Sequence, residues 1–131
     1  MPLTLTAADT IVDSGEQNTI IANVAIVAGQ PIANVATKGE LAANTSAALA
    51  DCIGIATNDA AIDQRVNYLP AGQLQLTAGQ LALGKAYYVG AAGGIIETSE
   101  LITNDFVTFL GICKATDVLT VNRDVSGVQH V

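Results

Sequence analysis

The sequence predicts an all-β protein, a small barrel or sandwich, and three observations carry this prediction. β-branched residues and short alternations of apolar and polar residues recur along the chain, whereas apolar residues rarely repeat at the helical spacing. Turn-forming segments such as "AGQP", "TKGE", "PAGQ" and "GAAGG" separate these runs. The length of 131 residues fits one domain, or two very small related halves.

Many short strands with frequent turns are typical of small barrels and sandwiches. The predicted strands are Leu3–Thr6, Thr19–Val27, Ile32–Val35, Cys52–Thr57, Arg65–Leu69, Leu74–Thr77, Ala86–Val89, Ile95–Thr98, Val107–Cys113 and Val118–Asn122. The stretch "NTSAALAD" predicts one short helical turn near residues 45–50, with Thr45 or Ser46 as its N-cap.

Two segments, "DCIGIATND" and "FLGICKATD", share a pattern and predict an internal repeat. Each predicted unit contains a strand, a turn ending in glycine, a polar segment, a strand with Gly-Ile, and an aspartate at its exit. The units cover residues 24–77 and 78–124, and in a pseudo-twofold arrangement each would cover the apolar face of the other. Four glycines take structural positions in this repeat, at turns or where two backbones approach closely: Gly39, Gly54, Gly94 and Gly111.

The predicted domain organisation has three parts. Residues 1–18 form an N-terminal arm, residues 19–125 form the β domain, and residues 126–131 form a C-terminal tail. Half of the residues are hydrophobic and 13% are charged, so we expect the domain to hide part of its surface against copies of itself or a larger partner.

The net charge of −7 argues against two classes of partner. Five dispersed Lys and Arg residues do not form the cationic cluster that nucleic acids or anionic membranes require. No basic residue precedes Lys38, so the positive segment of a signal peptide is missing, and we expect synthesis in a cytoplasm without secretion. The longest apolar run, "TIIANVAIVAG", is too short for a membrane span.

The motifs that resemble catalytic or metal sites favour structural interpretations. "GQLALGK" has the spacing of a phosphate-binding loop, but Ala86 follows where Ser or Thr is needed. "DVSGVQHV" holds Asp124, Ser126 and the only histidine, His130, without the rigid frame of a hydrolase triad. "TNDAAID" lacks the glycine and terminal glutamate of a calcium loop. We therefore predict no catalytic residues, no metal site and no cofactor.

The two cysteines leave alternatives open. Cys52 precedes Gly54 by two residues, whereas Cys113 follows Gly111 by two, so the two thiols are not equivalent in the repeat. Buried core packing is favoured over a disulfide, and a disulfide over catalysis.

Five small-residue β motifs lie within a stretch from about Asn23 to Asp124: "IGIATND", the hairpin around "PAGQLQL", "LALGKAYYVG", "GGIIET" and "FLGICKATD". Their pattern resembles that of the small capsid cement, or head decoration, proteins of tailed bacteriophages. The N-terminal stretch "MPLTLTAADTIVDSGEQ" lies outside the resemblance and is expected to be free to act as an arm.

The resemblance implies a virion protein without catalytic activity, which binds the exterior of the capsid and clamps neighbouring subunits of the major capsid protein. It also suits a homo-oligomer, with a trimer favoured at threefold lattice positions. The expected interface residues combine the arm with two tyrosines, one of which must face outward: Leu3, Leu5, Asp9, Asp13, Glu16, Tyr87 and Tyr88. The alternatives are another phage tail or cell-surface β-module for adhesion, and a carrier-type barrel domain with Lys38 as its modified lysine.

Overall fold

The protein folds into two antiparallel β-sheets that pack as a sandwich. The structure, a computed structural model, describes Leu3, Leu5 and residues 9–130. The strands are β1 (Ile11–Ser14), β2 (Asn18–Ile21), β3 (Pro31–Val35), β4 (Lys38–Leu41), β5 (Cys52–Ala56), β6 (Arg65–Leu69), β7 (Ala71–Gln75), β8 (Ala86–Val89), β9 (Ile95–Glu97), β10 (Phe106–Ala115) and β11 (Val118–Gln129). The predicted all-β class is confirmed, and of its two forms the described strands make a sandwich of two open sheets rather than a closed barrel.

Between β1 and β11, the described chain contains two short helices. Helix α1 (Ala47–Ala50) is the predicted helical turn, and of its two candidate caps it is Ser46 whose hydroxyl accepts a hydrogen bond from the backbone N–H of Leu49. A 3₁₀ helix spans Thr98–Glu100. No helix in the described part of the chain is long and apolar enough to cross a membrane.

The strand order repeats between the two sheets. The six-stranded sheet has the order β1-β7-β11-β10-β8-β9, and the five-stranded sheet has the order β2-β6-β5-β3-β4. Within them, the four strands β4-β3-β5-β6 and the four strands β9-β8-β10-β11 have the same arrangement. In each set the first two strands in sequence form a hairpin, and the first of them also pairs with the third strand. A short helix precedes the third strand in both sets. We call β3–β6 the first unit and β8–β11 the second unit. Strand β7 lies in the predicted first repeat, residues 24–77, but it pairs in the sheet of the second unit.

The main core lies between the sheets. It is built from residues of both sheets, among them Ala33, Cys52, Ile55, Leu69, Leu74, Tyr87, Val89, Leu110, Cys113 and Leu119. We call this the inter-sheet core. Along most strands every second side chain points to this core. In β5 and β10 the register shifts, so Cys52 and Ile55, and likewise Leu110 and Cys113, reach the same core although they are three positions apart.

A second core covers the opposite face of the five-stranded sheet. It contains Ala22, Ile26, Ile32, Ala56, Ala60 and Val66. The segment that follows β2 forms part of this cover, because Ile26 pairs with Ala60 through backbone hydrogen bonds. The middle of the five-stranded sheet, at β5 and the first half of β3, is therefore buried on both faces. This explains why β5 reads as a continuous apolar run rather than an alternation.

The same segment accounts for a wrong strand prediction. Residues 19–27 were expected to form one strand, but β2 ends at Ile21. The chain then turns so that the N–H of Asn23 donates to Gly39 and Ile26 reaches Ala60. The residues after the bend are apolar, as in a strand, because Ala22 and Ile26 still pack in the second core. Strands β1 and β4 were not expected at all.

The termini differ from the expected boundaries at residues 18 and 125. The part of the expected arm around β1 pairs with β7 along Ile11–Ser14 and so belongs to the six-stranded sheet. At the other end, β11 continues through the expected tail to Gln129, which lies opposite Phe106 of β10. β-branched residues such as Val125 and Val128, although exposed, favour this extended pairing. The polar residues among them had led to the prediction of a tail without a strand. Of the expected strand at 3–6, only Leu3 and Leu5 lie within the described residues.

Two of the predicted turn glycines do not supply the turn conformation. Gly39 lies inside β4, and the two-residue turn before it places Ala36 and Thr37 at φ values of 51° and 69°. Gly94 lies after its turn, in which Ala92 and Gly93 have φ values of 44° and 79°. Gly39 instead gives room to Ile20, whose Cγ2 atom would lie 3.2 Å from an added Cβ.

Candidate functional site

The N-terminal segment contacts the six-stranded sheet at both of its edges. At one edge the N–H of Leu3 donates to the carbonyl oxygen of Ile95 in β9 at 3.0 Å. At the other edge, β1 pairs with β7. Leu3 and Leu5 are half-buried against the inter-sheet core, and with the Val27–Gln30 loop and residues 91–95 they line a cleft of about 290 Å³. Both leucines of the expected interface, Leu3 and Leu5, thus also pack against the core.

The three expected acidic interface residues are exposed. Asp9 precedes β1, Asp13 lies within it, and Glu16 follows it. Strand β1 is held close to β7, because an added Cβ on Gly72 would lie 2.2 Å from the carbonyl oxygen of Ser14. The acidic side chains therefore project from a strand that is fixed to the body of the protein.

Tyr87 is not an interface residue, which corrects the prediction for this position. Its side chain is fully buried in the inter-sheet core, where its hydroxyl oxygen accepts a hydrogen bond of 2.7 Å from the backbone N–H of Ala82. Burial raises the pKa of Tyr87 above its ordinary value. The sequence predicted that only one of the two tyrosines faces outward, and Tyr88 is that one.

Tyr88 lies on the outer face of the six-stranded sheet. Its ring meets Phe109 edge to face, with centroids 5.8 Å apart and planes at 71°. Phe109 in turn lines a shallow groove with Ile112, Lys114, Thr120 and Asn122. Phe109 and Ile112 were missed as surface residues. Simple alternation could not have identified this outward set, because Phe109 and Ile112 are three residues apart and share a face only through the register shift between Phe109 and Gly111.

Gly54 and Gly111 lie in equivalent strands, and both face the backbone of the next strand in their unit. In β5, a Cβ on Gly54 would lie 2.6 Å from the carbonyl oxygen of Leu69 in β6. In β10, a Cβ on Gly111 would lie 2.1 Å from the carbonyl oxygen of Thr120 in β11. Side chains larger than hydrogen have no room at either position.

Both cysteines are free, buried thiols. Each thiol donates to a carbonyl two residues later, Cys52 to Gly54 at 3.3 Å and Cys113 to Ala115 at 3.2 Å. Burial raises the pKa of Cys52 to about 11 and also raises that of Cys113. Such thiols are protonated at neutral pH and are poor nucleophiles.

The polar residues of the "TNDAAID" segment are engaged in holding loops. Asp59 accepts from the N–H of Ala28 at 3.0 Å, Asn58 accepts from the N–H of Asn67 at 2.6 Å, and Asp63 pairs with Lys38 at 3.0 Å. Lys38 begins β4 rather than occupying the tip of the hairpin. Among the described residues, no group of three or more His, Cys, Asp or Glu side chains is placed to hold a metal ion.

The triad-like residues at the C-terminus belong to the β10–β11 pairing. The hydroxyl of Ser126 donates to the carbonyl oxygen of Val107, and the backbone of His130 exchanges hydrogen bonds with Asn104 and Asp105. These contacts hold the ends of two strands together.

No protein-family model matches the chain. A search of the curated proteins also gives no match.

Proposed function

We propose that this chain is a structural protein of a tailed-phage virion, which binds the outer surface of the assembled capsid and stabilises contacts between coat subunits. The resemblance in "IGIATND", "LALGKAYYVG" and "FLGICKATD" suggests the class of protein. The observation that carries the proposal is the exposed acidic strand β1, with Asp9, Asp13 and Glu16 on or beside it.

Strand β1 suits a coat lattice for two reasons. Its pairing with β7 fixes the acidic groups in position, so little conformational entropy is lost when a partner binds them. Basic groups of the major capsid protein would complement these acids and give the interface its orientation. A site that spans several coat subunits would bind the assembled lattice and not free subunits.

The test is co-sedimentation of the purified chain with phage heads that lack it, beside a parallel measurement with free coat subunits. We expect saturable binding to heads only, and a higher melting temperature of the heads when the protein is bound. Binding to bacterial envelopes and not to heads would favour the alternative of a tail or adhesion module.

Charge substitutions test the surface more sharply than truncation, because deleting residues 1–17 would also remove β1 from the fold. The variant Asp13→Lys with Glu16→Lys is expected to lose at least about tenfold in head binding, since attractive pairs become repulsive. Its matched control is Asp51→Lys with Asp124→Lys, which makes the same change of charge at other exposed positions. Equal binding by both variants would exclude β1 as the contact surface.

A further inference from the structure

We propose that the cleft beside the N-terminal segment binds one lysine or arginine side chain of a partner protein. The aliphatic stem of that side chain lies in the cleft, and its cationic group lies beside the carboxylates of Asp9 and Asp59. The partner is a coat subunit, and in this respect alone the site rests on the proposed function. The chemistry of the cleft stands independently of it.

The walls of the cleft are mostly apolar. They are formed by Leu3 and Leu5, by the Val27–Gln30 loop and by residues 91–95. The side chain of Val27 is 44% exposed at this position. The cleft volume is about 290 Å³. Pockets for whole ligands begin at roughly 300 Å³, so the cleft suits one long side chain rather than a cofactor.

Both walls are fixed by hydrogen bonds within the protein. In one wall, the N–H of Val27 donates to the side-chain oxygen of Gln30 at 2.9 Å. In the other, the N–H of Gly93 donates to the carbonyl oxygen of Ala42 at 2.7 Å. A cleft with fixed walls loses little conformational entropy when a partner binds.

Two carboxylates from different parts of the chain lie near the rim of the cleft. Asp59 accepts a hydrogen bond of 3.0 Å from the N–H of Ala28, a residue that lines the cleft. Asp9 comes directly before Thr10, whose hydroxyl oxygen would lie 3.2 Å from a Cβ added to Gly29. Both acids are exposed. Among the described residues, no lysine or arginine lines the cleft.

An apolar cleft with acids at its rim matches the chemistry of a basic side chain. Lysine and arginine bury their aliphatic stems against apolar surface while the charged group stays at the edge. A purely apolar side chain would leave both carboxylates without a partner, and an acidic one would be repelled. The nearby acid Asp63 is paired with Lys38, whereas no cation in the described part of the chain pairs with Asp9 or Asp59. Charge complementarity therefore selects a basic occupant.

A blocked pentapeptide of alanines with a central lysine is the direct probe. Added to the full chain at millimolar concentration, it should shift the backbone amide resonances of the Val27–Gln30 loop and of residues 91–95. Peptides with central norleucine, which keeps the stem without the charge, or with central glutamate should bind at least about tenfold more weakly. The absence of these shifts, or equal binding of the three peptides, would overturn the proposal.

Filling the cleft tests the position of the stem. Ala91→Leu places a larger apolar side chain at an exposed position that lines the cleft, and we expect binding of the lysine peptide to fall at least about tenfold. The matched control, Ala78→Leu, makes the same change at an exposed position in another loop and should leave binding unchanged. Thermal unfolding establishes that both variants fold. Equal binding by both variants would place the peptide elsewhere and overturn the proposal.

Removal of the charges tests the position of the cationic group. Asp9→Asn with Asp59→Asn keeps a side-chain oxygen that can accept from the N–H of Ala28, and it should abolish the preference for lysine over norleucine. The matched control is Asp51→Asn with Asp124→Asn, which makes the same change of net charge at other exposed positions and should keep the preference. A preference that survives without Asp9 and Asp59 would contradict the assigned site.

Co-sedimentation with phage heads separates this site from the proposed function. We expect the native chain and Ala78→Leu to bind heads, and Ala91→Leu to bind at least about tenfold more weakly. Equal binding of the two variants to heads would exclude the cleft from the capsid contact and leave the proposed function standing. Binding of the lysine peptide without any binding to heads would refute the proposed function and leave the lysine site standing.

Discussion

The two units follow the same strand order, yet they solve the same structural problems with different residues. In the first unit the hairpin turns through Ala36 and Thr37, both left-handed, whereas the turn of the second unit includes Gly93. A Cβ added to Gly54, in the third strand of the first unit, would lie 2.6 Å from the carbonyl oxygen of Leu69. A Cβ added to Gly111, in the third strand of the second unit, would lie 2.1 Å from the carbonyl oxygen of Thr120. The outer face of the first unit is covered with the help of the segment that follows β2, whereas no described segment covers the outer face of the second unit in this way. The same strand order is therefore compatible with different turn residues in the two units, whereas the close approach of the third and fourth strands is common to both.

The largest expected effect comes from that close approach. Gly111→Ala would force a methyl group onto the carbonyl oxygen of Thr120, and we expect it to lower the free energy of unfolding by about 3 kcal/mol or more. Gly54→Ala should cost somewhat less, because its nearest backbone oxygen is farther away. Urea denaturation of each variant measures both.

Gly39→Ala serves as the control for these substitutions. It also lies in a buried strand position, but its nearest contact is the Cγ2 atom of Ile20 at 3.2 Å, a side chain that can move. A cost of about 1 kcal/mol is expected. Equal costs at all three glycines would show that the close approach is not what distinguishes Gly54 and Gly111.

The buried thiols give the next effect, which depends on pH. The pKa of Cys52 is raised from 9.0 to about 11 in the folded protein. Between pH 9 and 11 the thiol of Cys52 therefore keeps its proton in the folded state but loses it in the unfolded state. The contribution of the buried thiol to the free energy of unfolding is complete below pH 9 and is lost as the pH rises toward 11. Two pKa units correspond to about 2.7 kcal/mol, which is an upper value for this site.

The measurement compares unfolding free energies of the native chain and Cys52→Ala between pH 8 and 11. The native chain should lose stability more steeply, because Cys113 and the other titrating groups are common to both. Parallel curves would contradict the assigned pKa. Thiol-reactive dyes should label both cysteines only after unfolding.

Substitution of Tyr87 is expected to change the free energy of unfolding by less. Tyr87→Phe removes the hydroxyl that accepts from the N–H of Ala82 and leaves the buried ring in place. We expect a loss of about 1 kcal/mol, the ordinary value for one hydrogen bond. Tyr88→Phe is the matched control on the outer face, and it should change the unfolding free energy by less.

The smallest effect is a gain in stability at the first hairpin. Ala36→Asn with Thr37→Gly supplies the residues that a two-residue turn with two left-handed positions favours, and about 1 kcal/mol of stabilisation is expected. The control is Thr116→Asn with Asp117→Gly in the β10–β11 turn. Asp117 already has a positive φ, and its carboxylate accepts from the N–H of Gly79, so no gain is expected there.

The sequence was sufficient for the class of the fold, the helical turn at Ser46 and most strands, because alternation and turn residues are local signals. It could not reveal β1, whose four residues become a strand only through β7, about 60 positions later in the chain. It could not tell which of Tyr87 and Tyr88 faces outward for a related reason: alternation shows that two neighbours face opposite ways, but not which of them meets the core. At the candidate site, the exposed acids Asp9, Asp13 and Glu16 were recognisable from charge alone.

The position of β11 has a consequence for the order in which the protein is made. All strands of the five-stranded sheet lie between Asn18 and Leu69, so that sheet can assemble while the rest of the chain is still being synthesised. The six-stranded sheet cannot, because β11 follows the other five strands of that sheet in the sequence and is the one that joins β7 to β10. Until β11 emerges from the ribosome, the paired strands β1 and β7 stay separate from β8, β9 and β10. A nascent chain arrested before Val118 would therefore expose one apolar face of a finished sheet, and synthesis of β11 is the step that joins the six-stranded sheet.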